Sequence, residues 1–292
     1  MGFFDKLKSL VGSNKLDVME RYELLREAVS GTMSKFYMAR DRETSQVVGL
    51  KIADKEKLDA FEARFQGLNK PREGEIAITL KHPRVVETFE YGTTKDGLPY
   101  LVMEYVDGIG MHALIKDQDS ILEGKRLELI RQMAEAINYV HEQDYIHRDI
   151  CPRNFICSRN AESLKLIDFG LTLPATEPFM QPGNRTGTPV YMAPEISRRR
   201  KTDKRLDIFA FGVTAYHLCS FELPWPTSDK PAMSALAYDT TPPTELLEYC
   251  PTLNKQLAAA IMQCLQASPH DRPQTGDDFL HLVRDCESES EA

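Results

Sequence analysis

No stretch of this chain stays apolar for the roughly 20 residues that a membrane-spanning helix needs. The opening Met1-Gly2-Phe3-Phe4-Asp5-Lys6 is too short and too charged for a secretory leader, and Lys6 stands where a myristoylation signal carries Ser or Thr. No two cysteines are spaced Cys-x-x-Cys, and no ligand cluster has zinc spacing. The six cysteines therefore read as reduced, mostly buried thiols of a cytoplasmic protein. Positive charge is in deficit, with 36 Lys and Arg against 44 Asp and Glu and a net charge of −8. That excludes a general nucleic-acid binder, which needs a basic face to displace counterions. Internal repeats and low-complexity linkers are absent, so 292 residues make one large or two modest domains with a real core.

What is present falls into two textures. From Tyr22 to Tyr105 the chain is strand-rich. Strands are expected over 36–40, 46–52, 85–91 and 99–105, and helices over 55–67 and 73–80. After Asp107-Gly108 the pattern turns helical. Leu127, Ile130, Met133, Ala134, Ile137 and Val140 form one apolar stripe, and further helices are expected over 206–220, 255–267 and 276–285. Residues 1–21 form an N-terminal extension. Its Phe3, Phe4, Leu7, Leu10 and Val11 recur at helical spacing among lysines, which suits a helix packed on the main domain or one that touches a membrane or partner through residues 3–11. Residues 286–292 are Ser/Glu-rich and read as an acidic flexible tail.

The first long helix runs into His147-Arg148-Asp149-Ile150-Cys151-Pro152-Arg153-Asn154, and Asp168-Phe169-Gly170 follows. An Asp, an Asn five residues on, and a second Asp before Phe-Gly is the layout of a phosphoryl-transfer site. Lys51 ends the strand Val47-Val48-Gly49-Leu50-Lys51, Glu73 and Glu75 precede His82-Pro83, and Gly187-Thr188-Pro189-Val190-Tyr191-Met192-Ala193-Pro194-Glu195 comes later.

In this order and spacing the motifs resemble those of the protein kinases over about residues 22–285. The resemblance implies an α+β, two-lobed fold: a small antiparallel-sheet lobe with one main helix over about 22–106, and a larger, mostly helical lobe over about 107–285. It implies ATP and Mg²⁺ as cofactors and Ser or Thr hydroxyls of proteins as acceptors. Asp149 would orient the hydroxyl, Asn154 and Asp168 would hold Mg²⁺, and Lys51 would hold phosphates, itself held by Glu73, the better match to the spacing before His82-Pro83. Val29, Gly31, Phe36, Gly49, Met103, Glu104, Val106 and Ile156 would line the nucleotide. Glu195 would be buried against Arg272, and Asp207 would brace the catalytic loop. Ala193-Pro194-Glu195 and Arg148 favour a protein over a small-molecule acceptor. Thr188 follows the Ser/Thr pattern, and Thr176 and Thr186 are candidate phosphorylation sites near the Arg148 pocket.

Three departures stand out. Of the three glycines over the phosphates only Gly31 remains, with Val29 and Ser34 at the other positions. Phe36 replaces a usual Val and Gly49 a usual Ala, a roughly volume-conserving exchange. Cys151 replaces the catalytic-loop Lys, and Arg153 is the residue that can carry that charge instead. Its charge could also activate the Cys151 thiol. A nucleotide-binding scaffold without turnover is the alternative reading.

Overall fold

A computed structural model describes residues 17–30, 34–226 and 238–290, with backbone alone for 27–30. The expected contact segment 3–11 and Gly31 lie outside the described residues. The chain divides into two units, one running through Lys81 and again over Val86–Val106, the other taking His82–Val85 and the chain from Asp107 onward.

The first unit is built on five antiparallel strands: β1 (Tyr22–Ser30), β2 (Ser34–Asp41), β3 (Val47–Ala53), β4 (Thr88–Thr93) and β5 (Pro99–Glu104). Their order in the sheet is β1-β2-β3-β5-β4. Alternation puts Ala39, Val48, Leu50, Tyr100 and Val102 on one face, where they pack with Tyr22 and Val18 into a core. β4 begins three residues later than the alternation from Val85 suggests. Val85, itself part of the second unit, turns back on His82 and bridges Leu166 of that same unit instead. Two short helices follow β3. The first, α1 (Lys55–Glu62), starts at Asp54, whose carboxylate accepts from Lys57 N. The second, α2 (Glu73–Ala77), lies close on β4: a Cβ at Gly74 would stand 2.5 Å from the Tyr91 side chain. Only glycine permits that approach, and it brings Glu73 toward the sheet.

The second unit is mostly helical, with α3 (Met111–Lys116), α4 (Arg126–Glu142), α5 (Arg205–Ser220), α6 (Lys255–Cys264) and α7 (Gly276–Leu282). The fold class is thus α+β, a small antiparallel sheet with helices and a larger helical unit. α5 is apolar nearly all round and forms the axis of the unit, as a fully buried helix must. Phe211 on α5 meets Phe279 on α7 edge to face at 4.7 Å. A small sheet, β6 (Gly108–Gly110), β7 (Phe155–Ser158) and β8 (Leu164–Leu166), flanks the loop between α4 and β7.

The acidic residues expected to be flexible are held as far as Ser290. Glu289 accepts from Gly124 N (2.8 Å), Arg126 N (2.7 Å) and Arg126 Nη1 (2.9 Å), and Ser290 bridges Leu253. The start of α4 leaves amide donors without intrahelical partners and carries a positive dipole end, so a carboxylate settles there. Among the described residues no helix is long and apolar enough to cross a membrane.

Candidate active site

In the first unit Lys51, only 8% exposed within β3, places Nζ 2.5 Å from Glu73 Oε1. Glu75 is turned away: its carboxylate accepts from Arg72 N at 2.8 Å and closes the start of α2. Phe36 and Met103 meet over Gly49, where a Cβ would lie 2.8 Å from Phe36 Cζ and 3.0 Å from Met103 Cγ. The larger ring on β2 therefore occupies the space left by the smaller residue on β3. The β1–β2 pairing slips between Ala28 and Ser30, so Val29 sits at an irregularity where the family carries a glycine. Glu104 ends β5; its amide donates to Glu87 O and its carboxylate accepts from Glu87 N. Val106 lies just beyond.

In the second unit the loop over residues 147–154 hangs from Asp207 in the first turn of α5. This carboxylate is fully buried and accepts from His147 N (2.8 Å), Arg148 N (2.8 Å) and His141 Nε2 (2.9 Å). Burial alone would raise its carboxyl, but the hydrogen bond from His141 and the positive and amide partners around it hold it below the ordinary range. The bracing lets Arg148 keep a left-handed conformation, φ 69°, costly for a side chain with a Cβ.

Asp149 is held from both sides. Its Oδ1 accepts from Thr188 N (2.9 Å) and Thr188 Oγ1 (2.7 Å), and its Oδ2 accepts from Asn154 Nδ2 (3.0 Å). The second Asn154 amide hydrogen goes to the Asp149 carbonyl at 2.7 Å. Asn154 O accepts from Ile167 N, which ties this loop to the turn carrying Asp168. Asp168 is itself left-handed, φ 65°, and its carboxylate accepts from Gly170 N. Gly187 makes the approach of Thr188 possible: it has φ 127°, and a Cβ there would stand 2.7 Å from Arg148 O. Ile156 is half-buried on β7.

The two substituted positions differ sharply. Cys151 is buried, its Sγ 3.7 Å from Thr188 Oγ1. Burial, reinforced by the Asp149 charge, pushes its thiol up to about 11, which runs against the possible activation by Arg153. Arg153 is exposed at the turn before Asn154. Arg148 is buried, which lowers it to about 10; its Nη2 donates to Asn184 O at 3.0 Å, and Thr186 Oγ1 donates to Asn184 Oδ1. Farther along, Glu195 and Arg272 form a buried two-pronged pair, 2.8 and 2.9 Å.

The profile of the protein kinase domain matches residues 22–282. The chain belongs to the protein kinase family. The kinase is 31% identical over 277 residues to the serine/threonine-protein kinase PknB of Mycobacterium tuberculosis, covering 91% of this chain and 43% of that protein. It is 30% identical over 274 residues to PknB of Mycolicibacterium smegmatis, with the same 91% and 43% coverage. With the serine/threonine-protein kinase pkn3 of Myxococcus xanthus it shares 30% over 261 residues, 85% of this chain and 47% of that one. The kinase thus spans less than half the length of these relatives.

Within each unit the structure brings together what the spacing suggested: Lys51 with Glu73, and Asp149 with Asn154 and Thr188. Sequence reading missed four supports of the segment 184–201. Tyr191 Oη donates to His217 Nδ1 (2.9 Å), and Tyr238 Oη donates to Val190 O (3.1 Å). Asp239 accepts from Arg198, with Arg200 beside it, while Lys201 pairs with Glu177. Two carboxylates thus offset about half of the four positive charges of the basic run 198–201. No spacing rule links these partners; only the sign of the run's charge hinted that it wanted acids.

Proposed function

We propose that this kinase transfers the γ-phosphoryl group of ATP, with Mg²⁺, to Ser and Thr hydroxyls of proteins. The observation that carries the reading is the Asp149 carboxylate, oriented by Thr188 on one oxygen and Asn154 on the other. ATP supplies the transferred group, and Mg²⁺ neutralises the phosphate charge. The donor set fits such a metal. Asn154 turns both amide hydrogens to Asp149 and so offers Oδ1, and Asp168 adds a carboxylate; both are hard oxygen ligands. Lys51, fixed by Glu73, holds the α- and β-phosphates. Asp149 takes the proton of the attacking hydroxyl. Arg153 supplies the charge at the γ-phosphate that Cys151, an uncharged thiol at neutral pH, lacks. The bonding of Thr188 to Asp149 and the likeness to serine/threonine-protein kinases support Ser and Thr as acceptors. Six unpaired cysteines support a cytoplasmic setting.

A second reading, a nucleotide-binding scaffold without turnover, draws on that same uncharged Cys151. Transfer of ³²P from ATP and Mg²⁺ to casein separates the two. Asp149→Asn should reduce transfer by a factor of about 100 or more, and Arg153→Ala should reduce it by at least tenfold, on the order of other electrostatic deletions. Absence of transfer by the parent, or transfer untouched by Asp149→Asn, refutes the enzyme reading. Transfer untouched by Arg153→Ala refutes the replacement of the lost Lys.

A further inference from the structure

Resting on the reading just given, we propose that Tyr238 is a positioning residue for the protein acceptor: its hydroxyl fixes the Val190 carbonyl and so sets the backbone beside which an acceptor chain lies.

Residues 238–244 are themselves anchored to α5. The Tyr238 ring stacks on Trp225 at 4.1 Å, and Phe209 of α5 lies beside both rings at 5.9 and 6.1 Å. Trp225 Nε1 donates to Thr241 O (2.8 Å), Tyr216 Oη donates to Thr244 O (3.0 Å), and Thr244 N donates to Pro224 O (2.8 Å). From this base two polar groups reach the segment after Gly187. Tyr238 Oη donates to Val190 O, and Asp239 accepts from Arg198 Nε (3.1 Å) and Nη2 (2.9 Å). They clasp the segment on either side of Ala193–Ser197. Val190 is two residues beyond Thr188, which bonds the Asp149 carboxylate.

The stack alone accounts for burying the ring, since Phe would pack as well. The hydroxyl is the part that packing does not require, and a buried hydroxyl is placed by its partner. Asp149 has its own bonds to Thr188 and Asn154, so losing the Val190 tether relaxes residues 189–191 without releasing the carboxylate. The effect should therefore fall on acceptor binding and spare the chemistry.

The test is Tyr238→Phe in the full chain, with casein as acceptor and, separately, ATP hydrolysis with water as acceptor. The expected result is a KM for casein raised about fivefold, the loss of one hydrogen bond, with KM for ATP and the hydrolysis rate unchanged and Tm lowered by no more than about 4 °C. Asp239→Asn, which weakens the hold on Arg198, should move the casein KM in the same direction. An unchanged casein KM in both variants overturns the inference and leaves the proposed function standing. A fall in hydrolysis in step with casein phosphorylation also overturns it, because a general structural role does that. A parent protein that transfers phosphate to neither acceptor overturns both.

Discussion

Asp207→Asn is the most informative single change in the helical unit. The shape of the side chain is kept and one acceptor oxygen becomes a donor. In the native chain Oδ2 serves His147 N and His141 Nε2, and Oδ1 serves Arg148 N. If the Asn oxygen keeps the Oδ2 position, its amide group faces the Arg148 N–H and that bond is lost. The other two bonds lose the strengthening that a carboxylate gives. With charged hydrogen bonds contributing roughly 1.5–3 kcal/mol each and neutral ones about half, one bond lost and two halved cost about 3 kcal/mol at the low end. For a chain of this size that is a fall in Tm of roughly 6–10 °C. Arg148, held left-handed by this bond, should relax and carry Asp149 with it. A displacement of about 1 Å is worth about a hundredfold in rate. Thermal unfolding followed by circular dichroism and transfer to casein measure the two effects. A Tm within about 2 °C of the parent together with a rate within about twofold would refute the view that Asp207 suspends the loop, since either expected loss is far larger.

Two other outcomes follow from the packing. Burial lowers His217 to about 4, with the nearby His112 acting in the same direction. The folded state therefore binds fewer protons than the unfolded one between pH 6.5 and 4. The stability contribution is fully present above 6.5 and is lost as pH falls toward 4, up to about 3 kcal/mol. His217→Gln should flatten the fall in Tm over that window, and parallel Tm–pH curves for the two proteins would count against it. Gly49→Ala should cost about 1–3 kcal/mol by driving a methyl into Phe36, and adding Phe36→Val should recover most of it. Strictly additive denaturation midpoints would show that the two side chains do not share the space.

The two-unit α+β fold was legible because it rests on periodicity and on residues whose chemistry restricts their neighbours. Lys51, Asp149, Asn154 and Asp168 carry an order that few other arrangements share. The choice of Glu73 over Glu75 was legible only as a spacing preference; the structure adds the reason, since Glu75 is needed at the start of α2. What stayed hidden depends on long-range pairing of ordinary residues. Glu289 looked like one acid of a solvated tail, yet the exposed amides at the start of α4 claim it. Cys151 beside Arg153 left a reactive thiol open as a lesser possibility, because sequence adjacency says nothing about burial. The outward turn of Arg153 and the inward turn of Cys151 are set by the turn Pro152–Asn154 that separates them in space.

The cysteines have a practical consequence. All six lie in the second unit, none is bonded to another, and burial is the first cause raising each of them above the ordinary thiol value. The native chain thus keeps no ready sulfur nucleophile at neutral pH. Alkylating reagents, which consume thiolate, act here as a stopwatch on the helical half alone. Modification of any of the five buried cysteines records an opening of that unit, whereas the half-buried Cys250 can react without one.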